Sequence, residues 1–160
     1  MSLKHSAWIL VVAILLVSCD KNRVFDEYQS VDNAWNKDSV VSFDLPELDP
    51  AKTYNMYVNL RGNNDYPYNN IFLIVSLDEP GKVTKVDTLE YAMTDAEGNL
   101  LGNGFSDIKE SALVYKKREK FKKGQYKIHI KQAVRETGKV AGVKELKGIT
   151  EVGFRVESAQ

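Results

Sequence analysis

The sequence predicts an all-β chain, an antiparallel β-sandwich of jelly-roll or immunoglobulin-like type that follows a cleaved export signal. Three observations carry that prediction. Strand-like segments alternate apolar and polar residues with a period of two. Turns rich in Gly, Asn and Asp separate them about every ten residues. A short apolar run stands at the extreme N-terminus. Seven or eight short strands follow, and strand counting by itself does not separate a sandwich from a closed barrel.

The N-terminal run comes first. Behind Lys4 and His5, the stretch Ala7–Val17 is eleven residues without a charge, Pro or Gly. At a rise of about 1.5 Å per residue, a helix of this length spans only about half a bilayer core, so a signal-peptide apolar region fits better than a membrane span. The run ends in Leu16-Val17-Ser18-Cys19, which resembles a bacterial lipobox: two apolar residues, a small one, then cysteine. Residues 1–18 are therefore expected to be removed, leaving Cys19 to carry a diacylglycerol and, on its amine, an acyl chain. Two or more chains anchor a protein stably, at roughly 0.8 kcal/mol per buried CH₂. Cys19 is the only cysteine, so no disulfide within one chain can form. Residues 19–38 are expected to tether the domain, with a reach of up to roughly 65 Å, or to pack on it in part through Val24, Phe25, Tyr28 and Trp35. Residues 39–160 are expected to form the sandwich, large enough for one core.

Within that domain the elements follow in order. Ser39–Leu45 places Val41, Phe43 and Leu45 on one face. Tyr54–Arg61 sets Tyr54, Met56, Val58 and Leu60 against Asn55, Tyr57, Asn59 and Arg61. Ile71–Leu77 is nearly continuous and apolar, the pattern of a central strand buried on both sides. Lys82–Met93 and Gln125–Ala133 alternate, the latter with His129 outward between Lys127 and Lys131. Thr150–Glu157 points Val152, Phe154 and Val156 inward. Only Asp107–Val114 reads as helical, because Asp107 and Glu110 are spaced as a capping box.

Charge is balanced overall, with 22 basic and 22 acidic residues. It is unevenly placed: residues 20–114 hold 17 acids and 8 bases, a net −9, while residues 115–160 hold 5 acids and 13 bases, a net +8. Interleaving of the two halves would neutralise this; an acidic or basic interaction surface is the alternative. The basic run Lys116–Lys123 suits a hairpin edge, where lysines discourage strand-to-strand association, and it also suits acidic lipid head groups or an acidic partner. Nucleic acid does not fit an exported, membrane-anchored chain.

No catalytic constellation is legible. The two histidines and single cysteine are too few to bind a metal, and no G-x-S-x-G elbow occurs. Asp95–Asn99 offers oxygens but not the spacing of a calcium loop, and turn chemistry explains it. No cofactor is expected beyond the lipid on Cys19. The most suggestive surface is the loop carrying Arg61, Asn64, Asp65, Tyr66 and Tyr68, since amides interleaved with aromatics suit a glycan or peptide. In the alternative reading it is an ordinary turn whose tyrosines cap the core. Gly102–Asp107 is expected to line the same end.

Several segments together resemble the gliding-motility lipoprotein family GldH. They are CDKNRVFDEY at 19–28, VNLRGNNDYPY at 58–68, NIFLIVSL at 70–77, DTLEY at 87–91, LGNGFSDIKE at 101–110 and GITEVGFRVE at 148–157. The resemblance covers essentially the whole mature chain. It implies a non-enzymatic lipoprotein of the cell envelope, anchored at the outer membrane or its periplasmic face. It further implies a role in gliding or in the associated type IX secretion of adhesins, with other proteins of that apparatus as partners. Beyond Cys19 it implies no binding residue.

Overall fold

Alternating apolar side chains build ten strands, with no helix among the described residues, in a computed structural model that describes residues 20–159. The export signal and Cys19 lie outside the described residues. The strands are β1 (Arg23–Ser30), β2 (Ala34–Asn36), β3 (Val41–Asp44), β4 (Thr53–Gly62), β5 (Asn70–Asp78), β6 (Lys85–Ala92), β7 (Lys109–Glu119), β8 (Lys127–Gln132), β9 (Glu145–Lys147) and β10 (Ile149–Ala159). One four-stranded sheet runs β1-β10-β4-β7, a second runs β3-β8-β5-β6, and β2 pairs with β9. Every pairing is antiparallel.

The two larger sheets form a sandwich whose core includes the inward residues read from the sequence. Met56, Val58 and Leu60 of β4, with Val152, Phe154 and Val156 of β10, share that core with Ile71, Leu73, Val75 and Leu77 of β5. Phe25 of the first sheet meets Phe43 of the second edge-on, with ring centroids 6.1 Å apart.

Three expectations are corrected. Residues 19–38 are not simply a tether. Arg23–Ser30 pairs along β10, and Ala34–Asn36 pairs with Leu146 and its neighbours. The apolar residues scattered through this polar stretch drive this: Trp35 is fully buried, and Phe25 packs against the core. The helix expected at Asp107–Val114 is instead the start of β7. Leu113 faces Val58 and Ala112 faces Asn59, so a long antiparallel partner overrides a local capping box. Finally, β5 is central but buried on one face only; Phe72, Ile74 and Ser76 remain half-exposed on the other.

The registers also define two ends. Arg23, Glu157 and Asn55 stand side by side at one end, and Gly62, Lys109 and Ile149 at the other. The connections 63–69 and 101–108 both leave from the second end. Along β4 the ends are about 25 Å apart.

Candidate functional site

Sequence periodicity sets Asn55, Tyr57, Asn59 and Arg61 on the outward face of β4. The sheet brings them partners from three other strands. Cross-strand registry places Glu110 of β7 and Glu151 of β10 on either side of Arg61. The guanidinium donates from Nε to Glu110 Oε2 at 2.8 Å and from Nη1 to Glu151 Oε2 at 2.9 Å. These two carboxylates hold Arg61 still more firmly protonated than usual. Its Cζ also lies 3.9 Å from the centroid of the Tyr28 ring.

Tyr28 crosses over from β1 because Gly153 lets it. A Cβ at Gly153 would come within 2.6 Å of the ring. The ring covers Asn59, which is fully buried and donates to the Tyr28 hydroxyl at 3.0 Å. Burial, then the nearby Glu110 and Asp26 charges, pushes the Tyr28 phenol up to about 12. Arg155 lies over Tyr57 with Cζ 4.8 Å from the centroid. The result is a flat face of charge pairs and aromatic rings. It is suited to contact with another surface, and it presents no acid or base poised for proton transfer.

Arg61→Ala is expected to lower stability by about 1–2 kcal/mol. The figure is modest because the Arg61 side chain is 35% exposed and its pairs are screened. Urea unfolding measures this, and an unchanged midpoint would show that the network contributes nothing.

The other four loop residues are divided. Asn64 and Asp65 are exposed, Tyr68 is half-buried, and Tyr66 is only 7% exposed. The Tyr66 hydroxyl donates to the Asn70 carbonyl at 2.7 Å, and its ring meets Tyr68 edge-on at 5.9 Å. Tyr66 therefore caps the core and offers no open face for stacking. Asp65 is tied down by an amide chain: Asn63 Nδ2 donates to Asn33 Oδ1, and Asn33 Nδ2 donates to Asp65 Oδ2. Arg61 thus belongs to the sheet face, while Asn64, Asp65 and Tyr68 belong to the loop end.

A second constellation escaped sequence reading because its members are 87 and 51 residues apart. On the outer face of the other sheet, Ser42 stands opposite His129, and Asp78 lies diagonally across on β5, two residues beyond Ser76, which pairs with His129. Ser42 Oγ lies 2.7 Å from His129 Nδ1, and His129 Nε2 lies 2.9 Å from Asp78 Oδ2. Hydrogen bonds from Thr84 and His129 hold the Asp78 carboxyl below the usual carboxylate range. The Ser-His-Asp acyl-transfer triad uses the opposite ring nitrogens, with Nε2 facing the serine and Nδ1 the carboxylate. Here Ser42 sits within β3, so the arrangement is a polar ladder across the sheet. A shallow cavity of about 340 Å³ beside it is lined by Val40, Ile74, Ser76, Thr84, His129 and Lys131.

Asp95 accepts from the backbone N–H groups of Glu97 and Asn99, which is turn chemistry. Among the described residues no three His, Cys, Asp or Glu side chains converge as metal ligands.

Comparison with known proteins adds the following. The profile of the GldH lipoprotein family matches residues 23–156. Gliding motility lipoprotein GldH of Flavobacterium johnsoniae is 64% identical over 157 residues, covering 98% of each chain. A Gliding motility lipoprotein GldH homolog of Christiangramia forsetii is 51% identical over 157 residues, covering 96% of each. Among solved structures, the infectious bursal disease virus VP2 subviral particle overlaps 86% of this chain and 32% of its own, at TM-score 0.41 and 15% identity.

Proposed function

Because this chain belongs to the GldH lipoprotein family, we propose that it is a non-enzymatic, lipid-anchored component of the apparatus for gliding and the associated type IX secretion of adhesins. The supporting observation is the extent of the match. Residues 23–156 span all ten strands, from the first of β1 to near the end of β10, so the relatives share a whole sandwich. The chain is a lipoprotein of the cell envelope tied to gliding. Placement at the outer membrane or its periplasmic face, through lipid on Cys19, is part of the proposal, as are partners among the other envelope proteins of that apparatus. In this reading the flat face around Arg61 and the loop end around Asn64 are the surfaces offered to them.

A clean deletion complemented with wild-type and Cys19→Ala genes tests the proposal. Loss of colony spreading and adhesin export on deletion is expected, with the Cys19→Ala protein folded but released from membranes. Normal spreading and normal export in the deletion strain would falsify it.

The second reading is a glycan- or peptide-binding module. It now rests on Asn64, Asp65 and Tyr68, which stand at the end of the domain away from Arg23. Asn64→Ala with Tyr68→Ala should abolish ligand capture while leaving spreading intact; retention of every interaction would sink this reading.

A further inference from the structure

The basic run 116–123 has no role in the sites above, and the fold places it where the chain leaves for its anchor. β1 begins at Arg23, four residues after Cys19, so the lipid is within about 14 Å of the first strand. Arg23 pairs with Glu157, and Glu157 with Asn55. The Asn55 side chain in turn accepts from the Arg118 backbone N–H at 3.0 Å. Three strand spacings of about 4.8 Å therefore separate the start of the domain from Arg118, again about 14 Å.

The chain turns outward there: Arg118 adopts φ +51°, where the β4–β7 register shifts. Phe121, only 7% exposed, then pins the connection by packing on Tyr54 and Tyr126, with centroids 6.1 and 5.3 Å away. Lys117, Arg118, Lys120, Lys122 and Lys123 are left exposed around it. Of these, Lys123 reaches Glu47 at 3.8 Å, and Glu119 is the one acid within the run. Other acids at this end have partners: Asp20 with Arg23, Asp44 with Lys127, Asp78 with His129, Glu79 with Lys82 and Glu157 with Arg155, while Asp49 caps Ala51.

An apolar tip stands next to the cations. Gly124 abuts Pro80, since a Cβ there would lie 2.5 Å from the Pro80 ring. This brings the β5–β6 turn alongside, with Val83 at 92% exposure beside Lys82.

We propose that this end of the sandwich, Lys117–Lys123 with Val83, is a docking surface for the anionic phospholipid head groups of the membrane that holds the anchor. The idea rests on the reading of Cys19 as the lipid-bearing residue. A tether of three residues forces some face of the domain against the bilayer. The face nearest the anchor carries surplus positive charge around an exposed aliphatic side chain, the chemistry of interfacial binding. Docking this way directs the loop end around Asn64 away from the bilayer.

The test uses the mature lipidated protein in vesicles of phosphatidylcholine alone or of phosphatidylethanolamine and phosphatidylglycerol. Lysine acetylation is read by mass spectrometry. Lys117, Lys120, Lys122 and Lys123 should react about fivefold more slowly on the anionic vesicles, the factor expected for one basic residue held at a charged surface. Lys139, Lys144 and Lys147, which lie toward the other end, should react equally on both. Added salt at about 0.5 M should restore the reaction. Changing Lys122 and Lys123 to glutamate should abolish the difference at Lys117 and Lys120, and both replaced residues are exposed, so the fold is kept. Equal acetylation on both vesicles, with the protein still floating with them, overturns the docking surface alone. Failure to float with either overturns the Cys19 reading and the docking surface with it. Protection in intact cells but on neither vesicle also overturns it, in favour of an acidic protein partner.

Discussion

Trp35→Ala is expected to destabilise the domain by about 3–5 kcal/mol, the usual effect of deleting a large buried aromatic. Trp35 sits on the three-residue strand β2 and is fully buried. Its indole N–H donates to the Ser39 carbonyl at 3.2 Å. Its own carbonyl accepts from Gln132, a buried amide that also donates to the Val143 carbonyl at 2.7 Å and accepts from the Val134 N–H at 3.0 Å. The main chain of residue 35 therefore joins β2 to the end of β8, while the buried indole fills the core beneath and holds Ser39. Its loss leaves a cavity and frees the Ser39 carbonyl, and the main-chain bond to Gln132 remains available. At roughly 3–4 °C per kcal/mol for a domain of this size, thermal unfolding should fall by about 10–20 °C. A shift of a degree or less would mean that residues 31–38 are a passive linker after all.

Gly148→Ala has the second large effect, through the backbone. Gly148 joins β9 to β10 at φ +86°, and a Cβ there would lie 2.2 Å from the Tyr66 nitrogen. The obstacle is main chain, so no rotamer change relieves it. The Gly148 carbonyl also accepts from the Asn63 N–H at 2.9 Å, which fixes the loop after β4 on this corner. The left-handed conformation and the collision together should cost about 3–5 kcal/mol. Tyr66 would be displaced from the core, so denaturant unfolding should shift and hydrogen exchange should rise first in residues 63–69. A variant as stable as the wild type, with unchanged exchange there, would refute the close packing of this corner.

The reading of individual segments succeeded where side-chain period alone decides structure. The outward set Asn55, Tyr57, Asn59 and Arg61 was legible because alternate residues of a strand share a face. What they meet was not. Glu110 and Glu151 reach Arg61 through registry between strands separated by 49 and 90 residues, and no local pattern encodes registry. For Tyr28 the sequence suggests packing on the domain but not the partner it meets. Its role depends on Gly153, whose missing side chain makes room for the ring. The same limit hid the Ser42, His129 and Asp78 ladder and misassigned the start of β7. Tyr66 and Tyr68 are two residues apart and read alike in sequence, yet burial separates the capping ring from the half-exposed one.

The sequence by itself determined the all-β class and the inward residues of β3, β4, β5, β8 and β10, and it supplies the pattern on which the reading of an export signal and Cys19 rests. Each of these follows from a local pattern of period, composition or spacing. Only the tertiary structure decided that the stretch after Cys19 is strand. Its pairing energy comes from β9 and β10, far along the chain, and the burial of Trp35 makes the pairing worthwhile. That one difference leaves three residues between Cys19 and the first strand where about twenty were expected. It also sets the basic run 116–123 at the end of the domain that a lipid on Cys19 would hold against the membrane.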